Sequence, residues 1–168
     1  MRRLPVPVLV ALAVVLPLGP VRLLTHHEAT ARPAGPGSLA SVAARAGCEL
    51  TEFDGDMATN PPVKGRFVER IRARDGSYVG KRSPSLAAAI HALYHGRVLL
   101  QYRPGLRPDR LETVVGEQVL LFENQTGMTA PVAATAYLSL MTCPRIDGRT
   151  LRALDVFRER RRGFGQAF

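Results

Sequence analysis

Ser83-Pro84-Ser85-Leu86-Ala87-Ala88-Ala89-Ile90-His91-Ala92-Leu93-Tyr94-His95-Gly96-Arg97-Val98-Leu99-Leu100-Gln101-Tyr102-Arg103-Pro104-Gly105 reads as a helix, a corner and a strand in immediate succession. Serine caps the helix start, alanines propagate it, and Gly96 stops it, because glycine enters the left-handed conformation of a helix end without steric cost. The apolar run after Arg97 reads as strand, and Pro104-Gly105 ends it. A helix and a strand joined this closely call for a fold that mixes both.

The same reading extends outward. Residues 107–116 place Leu111, Val114 and Val115 at helical spacing, and residues 118–122 form a second strand. Thr126-Gly127-Met128-Thr129-Ala130-Pro131 is a turn, and residues 132–141 are assigned to a third strand. Residues 150–162 form the clearest helix, with Leu151, Leu154 and Phe157 on one apolar face and Gly163 after it. Residues 53–81 have few periodic apolar positions and many turn formers, among them Asn60-Pro61-Pro62 and Asp75-Gly76, so they read as an irregular arm. The expected class is α+β: a single small domain, residues 47–163, with a short, mostly antiparallel sheet packed by about three helices.

Upstream of that domain, Met1-Arg2-Arg3 precedes an apolar block at residues 8–16, flanked by Pro5, Pro7, Pro17 and Pro20. Charged start and apolar centre read as a signal peptide or signal anchor over residues 1–31, with Ala29-Thr30-Ala31 as a small-x-small cleavage site. Residues 32–46 are assigned to a flexible linker, of which 32–38 is rich in proline and glycine, and residues 164–168 to a tail. Either form of the leader makes the domain extracytoplasmic, secreted or anchored in the plasma membrane. The chain has two cysteines, Cys48 and Cys143. Export makes one disulfide the expected state, with buried thiols or metal-bound thiolates as the alternatives.

The formal net charge is +9, and removing residues 1–31 takes away Arg2, Arg3, Arg22 and Glu28 and leaves +7. Positive charge concentrates at Arg66, Arg70, Arg72 and Arg74 and again at Arg158, Arg160, Arg161 and Arg162. With no tryptophan and few other aromatic residues to stack on bases, nucleic acid is not an expected partner. Anionic membrane surface or acidic envelope components fit better, and the leading alternative is a merely solvated basic surface. Glu49, Glu52, Asp54 and Asp56 read as a solvated acidic face.

His91 and His95 lie four residues apart, which stacks two imidazoles on one helix face with Cβ atoms about 5–6 Å apart. Two nitrogens leave a metal's coordination shell unfinished. Met128 is the candidate third donor, and two imidazoles with a thioether suit copper, Cu(I) in particular, better than zinc. The competing reading has both histidines closing the helix end by hydrogen bonding and Met128 filling core space. A catalytic role is not expected, since the chain carries neither a Gly-x-Ser-x-Gly elbow nor a phosphate-cradling glycine loop.

Gly47-Cys48-Glu49-Leu50, Thr59-Asn60-Pro61-Pro62, His91-Ala92-Leu93-Tyr94-His95-Gly96-Arg97-Val98, Gln101-Tyr102-Arg103-Pro104-Gly105-Leu106 and Ala130-Pro131-Val132-Ala133-Ala134-Thr135-Ala136-Tyr137 occur in this order. Together they resemble DUF3105, a bacterial family of unknown function whose members look exported or membrane-anchored, actinobacteria prominent among them. The resemblance covers residues 47–163. It implies a third histidine shortly after the Asn-Pro-Pro turn, where this sequence has Phe67, and an acidic residue between the paired histidines, where it has Tyr94. The resemblance supplies an address and no reaction.

Overall fold

The structure is a computed structural model that describes residues 37–54 and 58–165. The signal or anchor assigned to residues 1–31 lies outside the described residues, as does Asp56. Ser38 opens the described fold by accepting a hydrogen bond from the Ser41 amide at 3.1 Å, which caps α1, Leu39–Arg45. Leu39, Ala43 and Ala46 are buried in the core. Residues 39–46 are therefore helix and helix cap rather than linker, because every third or fourth residue there is apolar and finds a partner.

The remaining elements are β1 Glu49–Glu52, β2 Gly76–Ser77, α2 Leu86–Tyr94, β3 Val98–Tyr102, a 3-10 helix at Asp109–Val114, β4 Val119–Glu123, β5 Val132–Ala136, β6 Ser139–Cys143 and α3 Gly148–Arg161. The six strands form one sheet in the order β1-β6-β5-β3-β4-β2. The pairings β1–β6, β6–β5 and β5–β3 are antiparallel, whereas β3–β4 and β4–β2 are parallel. The sheet is thus mixed, and the α+β class holds. No helix among the described residues is long and apolar enough to cross a membrane.

Burial explains why the strands look uniformly apolar. Val98, Leu100, Tyr102, Val119, Leu121, Val132, Ala134 and Met141 face one core with Leu111, Leu154 and Phe157. Leu99, Leu120 and Phe122 face the other with Ala89, Ala92 and Leu93 of α2. Both faces being covered, the usual alternation of apolar and polar residues disappears. On the α2 face, Gln101 and Thr135 are buried polar exceptions.

Two sequence expectations change in detail. The stretch 132–141 is a hairpin rather than one strand, turning at Tyr137-Leu138, with Leu138 at φ 58°. Backbone bonds hold that turn, Leu138 donating to the Val63 carbonyl at 3.3 Å and accepting from the Phe53 amide at 2.9 Å. The helix at 107–116 contracts to the single 3-10 element. The register that sets Glu49 opposite Thr142 also sets Cys48 beside Cys143, and the two form a disulfide with Cα atoms 4.3 Å apart.

The Asn-Pro-Pro segment is a structural clamp. Asn60 donates to the Thr126 carbonyl at 2.8 Å and accepts from the Thr126 hydroxyl at 2.6 Å. Asn124, only 3% exposed, carries the contact inward by donating to Gln101 Oε1 at 2.8 Å and accepting from the Thr126 and Met128 amides. Asn124→Ala strands Gln101 and opens this turn, so it is expected to cost about 3 kcal/mol in urea denaturation. A loss within 0.5 kcal/mol, on the order of an ordinary surface substitution, would show the network to be dispensable.

Candidate functional site

Ser85 caps α2 by accepting from the Ala88 amide at 3.3 Å, and Gly96 ends the turn after it at φ +73°. A side chain at 96 would also meet the Gly163 backbone at 2.8 Å, where the Gly163 amide donates to the Gly96 carbonyl. The corner between α2 and β3 is thereby locked against the end of α3. His91 and His95 project from this locked end, with ring centroids 4.5 Å apart.

The irregular arm covers the pair. Gly65 passes so close to α2 that an added Cβ would lie 2.6 Å from Ile90 Cδ1, and its carbonyl accepts from the Tyr94 hydroxyl at 2.9 Å. Further along, Phe67 stacks on His91 at 4.8 Å between centroids and 16° between planes, and lies 6.1 Å from His95. The Val68 carbonyl sits 2.9 Å from His91 Nδ1. A carbonyl only accepts, so Nδ1 carries a proton, and in the neutral ring Nε2 carries the lone pair. His91 is 2% exposed, whereas His95 is exposed.

A hollow of about 190 Å³ opens beside the pair, lined by Arg72, Ala73, His91, His95 and Arg97. Arg97 is ion-paired with Asp75, whose second oxygen accepts from the Gln118 amide. Desolvation first, then the nearby charges of His91, Arg97 and Arg72, push the His95 imidazole below its ordinary 6.5. A histidine depressed in this way is neutral in both states above that value. Its share of stability is intact there and is lost as pH falls from about 6.5 through the folded-state pKa. An NMR titration should give His95 a midpoint under 6.5, and a midpoint above it would contradict this charge environment.

Of the proposed ligands, the structure brings His91 and His95 together and leaves Met128 out. Met128 is a buried residue anchored by Asn124, whose amide donates to the Tyr102 carbonyl beyond the C-terminal ends of β3 and β4. His95 precedes β3, so roughly 13 Å of strand separates the two ends. The methionine belongs to the Asn-Pro-Pro clamp. Among the described residues there is no group of three or more His, Cys, Asp or Glu arranged to hold a metal ion.

The two arginine clusters differ. On α3, Arg158 pairs with Asp155 and Glu159 and donates to the Val114 carbonyl, Arg161 pairs with Glu52, and Arg162 pairs with Glu159. Arg160 is exposed. On the arm, Arg66, Arg70, Arg72 and Arg74 are all exposed, with Ile71 40% exposed among them. Arg97 as a lining residue escaped sequence reasoning; its place beside His95 was visible, but the arm that closes the hollow was not.

No curated protein and no solved structure matches the chain. The pattern of the family described as "Protein of unknown function (DUF3105)" matches residues 54–162, a span that holds the Asn-Pro-Pro clamp, the paired histidines and α3. The chain belongs to the DUF3105 family.

Proposed function

We propose that this is an exported, non-catalytic binding domain that docks on an anionic surface of the bacterial envelope through its arm, without a resident metal. The leader-like sequence of residues 1–31 supports export, and a Cys48–Cys143 link suits an oxidising compartment. The observation that carries the reading is the contrast between the two arginine clusters. The α3 guanidiniums are largely spent on the protein's own carboxylates, whereas residues 66–74 of the arm present four exposed arginines around an exposed isoleucine, with Glu69 the one acid in that stretch. Arginines next to an apolar side chain match an anionic lipid headgroup layer, each cation contributing about 1 kcal/mol near such a surface.

The test is sedimentation with vesicles of neutral lipid and with vesicles containing phosphatidylglycerol. Binding is expected only to the anionic vesicles and to weaken with salt. Arg66→Gln/Arg70→Gln/Arg74→Gln should weaken it about 100-fold, three charges at about 1.4 kcal/mol per factor of ten. Arg160→Glu should leave most of it. Equal binding to neutral vesicles, or loss on Arg160→Glu with the arm variant unaffected, would overturn the reading.

A copper site at His91 and His95 is the second reading. It is favoured by the Val68 carbonyl, which fixes His91 with its Nε2 lone pair available in the manner of metal-ligating histidines. Against it stand Phe67 on the ring face, Met128 elsewhere, and two guanidiniums lining the hollow, which repel a cation.

A further inference from the structure

The hollow beside the histidines has one sign of charge. Arg72 and Arg97 line it together with both imidazoles, and the acid at hand, Asp75, is already engaged by Arg97 and the Gln118 amide. Arg72 has no ion pair with any described residue. Four cationic or protonatable groups converging on a concave site focus a positive potential, and guanidinium forks match the oxygens of phosphate and carboxylate. A hollow of about 190 Å³ has room for a small oxyanion headgroup.

From this arrangement we infer that the His91–His95 hollow is an oxyanion site that takes the terminal phosphoryl group of a phosphomonoester, held by Arg72 and Arg97 against the imidazole pair. The inference deepens the proposed function and rests on it only in taking the partner to be anionic. A phosphomonoester is favoured over a carboxylate or a phosphodiester by its charge, about −1.5 to −2 at neutral pH, which balances more than one cation. Arg97 is held in place by Asp75, and His91 by Val68 and Phe67, so the site is largely formed before the ligand arrives. His91 Nδ1–H is committed to the Val68 carbonyl, so a neutral His91 has no second N–H to offer, and the pair faces an anion more favourably after gaining a proton.

Binding is therefore coupled to proton uptake at the pair. The groups that face His95 include His91 of α2, Phe67 and Arg72 of the arm, and Arg97 with Asp75 behind it. Desolvation first, and then the cations among them, hold the proton off in the free protein, and a bound dianion opposes both. Phosphate affinity should then drop about tenfold for each pH unit between the free-state and the bound-state midpoint of His95, where one proton is taken up with each anion, and level off above the bound-state midpoint.

The experiment is a titration of the full chain with inorganic phosphate, followed through the His95 imidazole resonances at several pH values. The expected result is saturable binding that raises the His95 midpoint, weakens about tenfold in Arg72→Gln, and loses its pH dependence in His95→Gln. Arg66→Gln/Arg70→Gln/Arg74→Gln should bind phosphate as the natural protein does, which separates this site from docking by the arm. Vesicles containing phosphatidic acid that displace phosphate would identify a lipid headgroup as the source. Displacement by glycerol 3-phosphate but not by such vesicles would identify a soluble one. An unmoved His95 midpoint, or equal binding by Arg72→Gln, would overturn the inference and leave only a diffuse basic surface.

Discussion

Phe67→His is expected to convert the histidine pair into a metal site, raising Zn(II) or Cu(II) affinity by about 100-fold or more. The ring at 67 lies 4.8 Å from that of His91 and 6.1 Å from that of His95, so an imidazole there joins the two already present. Losing an outer partner of a ligand typically costs 10–100-fold in metal affinity, and a direct ligand carries at least the upper part of that range. Three nitrogens and a water complete a common zinc shell. Arg72 and Arg97 oppose the gain, so Phe67→His/Arg72→Gln should bind tighter still. Isothermal titration decides it. The gain should vanish when His91→Ala is added, and a Phe67→His protein no better than the natural one would show that the three positions do not converge on one ion.

Removing the disulfide should be the most damaging change to stability. The bridge joins residues 95 apart and ties β1, an edge strand, to the end of β6, from which the chain leads into α3. In the chain-entropy account a loop of about 100 residues is worth about 4.7 kcal/mol. Cys48→Ala/Cys143→Ala is expected to lose about 4 kcal/mol in urea denaturation and to lower Tm by on the order of 15 °C. The slope with denaturant should also steepen, because an uncrosslinked unfolded chain exposes more surface. A loss under about 1 kcal/mol would mean that strand pairing between β1 and β6 holds the edge without help.

The parts of the fold legible in sequence were those whose signals are local. Ser85 and Gly96 mark the bounds of α2, and the spacing of Leu151, Leu154 and Phe157 marks the buried face of α3. The missed elements lack local marks. The β5–β6 hairpin turns at Tyr137-Leu138 without glycine, asparagine or proline, its left-handed Leu138 held by Val63 and Phe53 from the arm. Helix α1 is a short run whose helicity depends on burying Leu39, Ala43 and Ala46. The parallel pairing of β3 with β4 follows from a crossover through a 3-10 element, which no periodicity announces.

Site residues divided in the same way. His91 and His95 share a helix face, and their spacing alone places them together. What surrounds them comes from far along the chain. Val68 and Phe67 reach His91 from more than a helix length away, and Met128 is drawn to the opposite end of the strands by Asn124. Sequence clustering made the α3 arginines look like a surface patch, yet Arg161 is answered by Glu52, 109 residues earlier. The acidic face read at Glu49 and Glu52 is partly the partner of the basic one.

The most direct measurement on the central claim is a titration of the oxidised natural protein with Cu(I), Cu(II) and Zn(II), beside His91→Ala/His95→Ala. The account predicts no stoichiometric uptake that depends on the histidines, because Phe67 fills the third position and Arg72 and Arg97 favour an anion there. Near-stoichiometric binding abolished in the double variant would contradict it and make the pair a metal site.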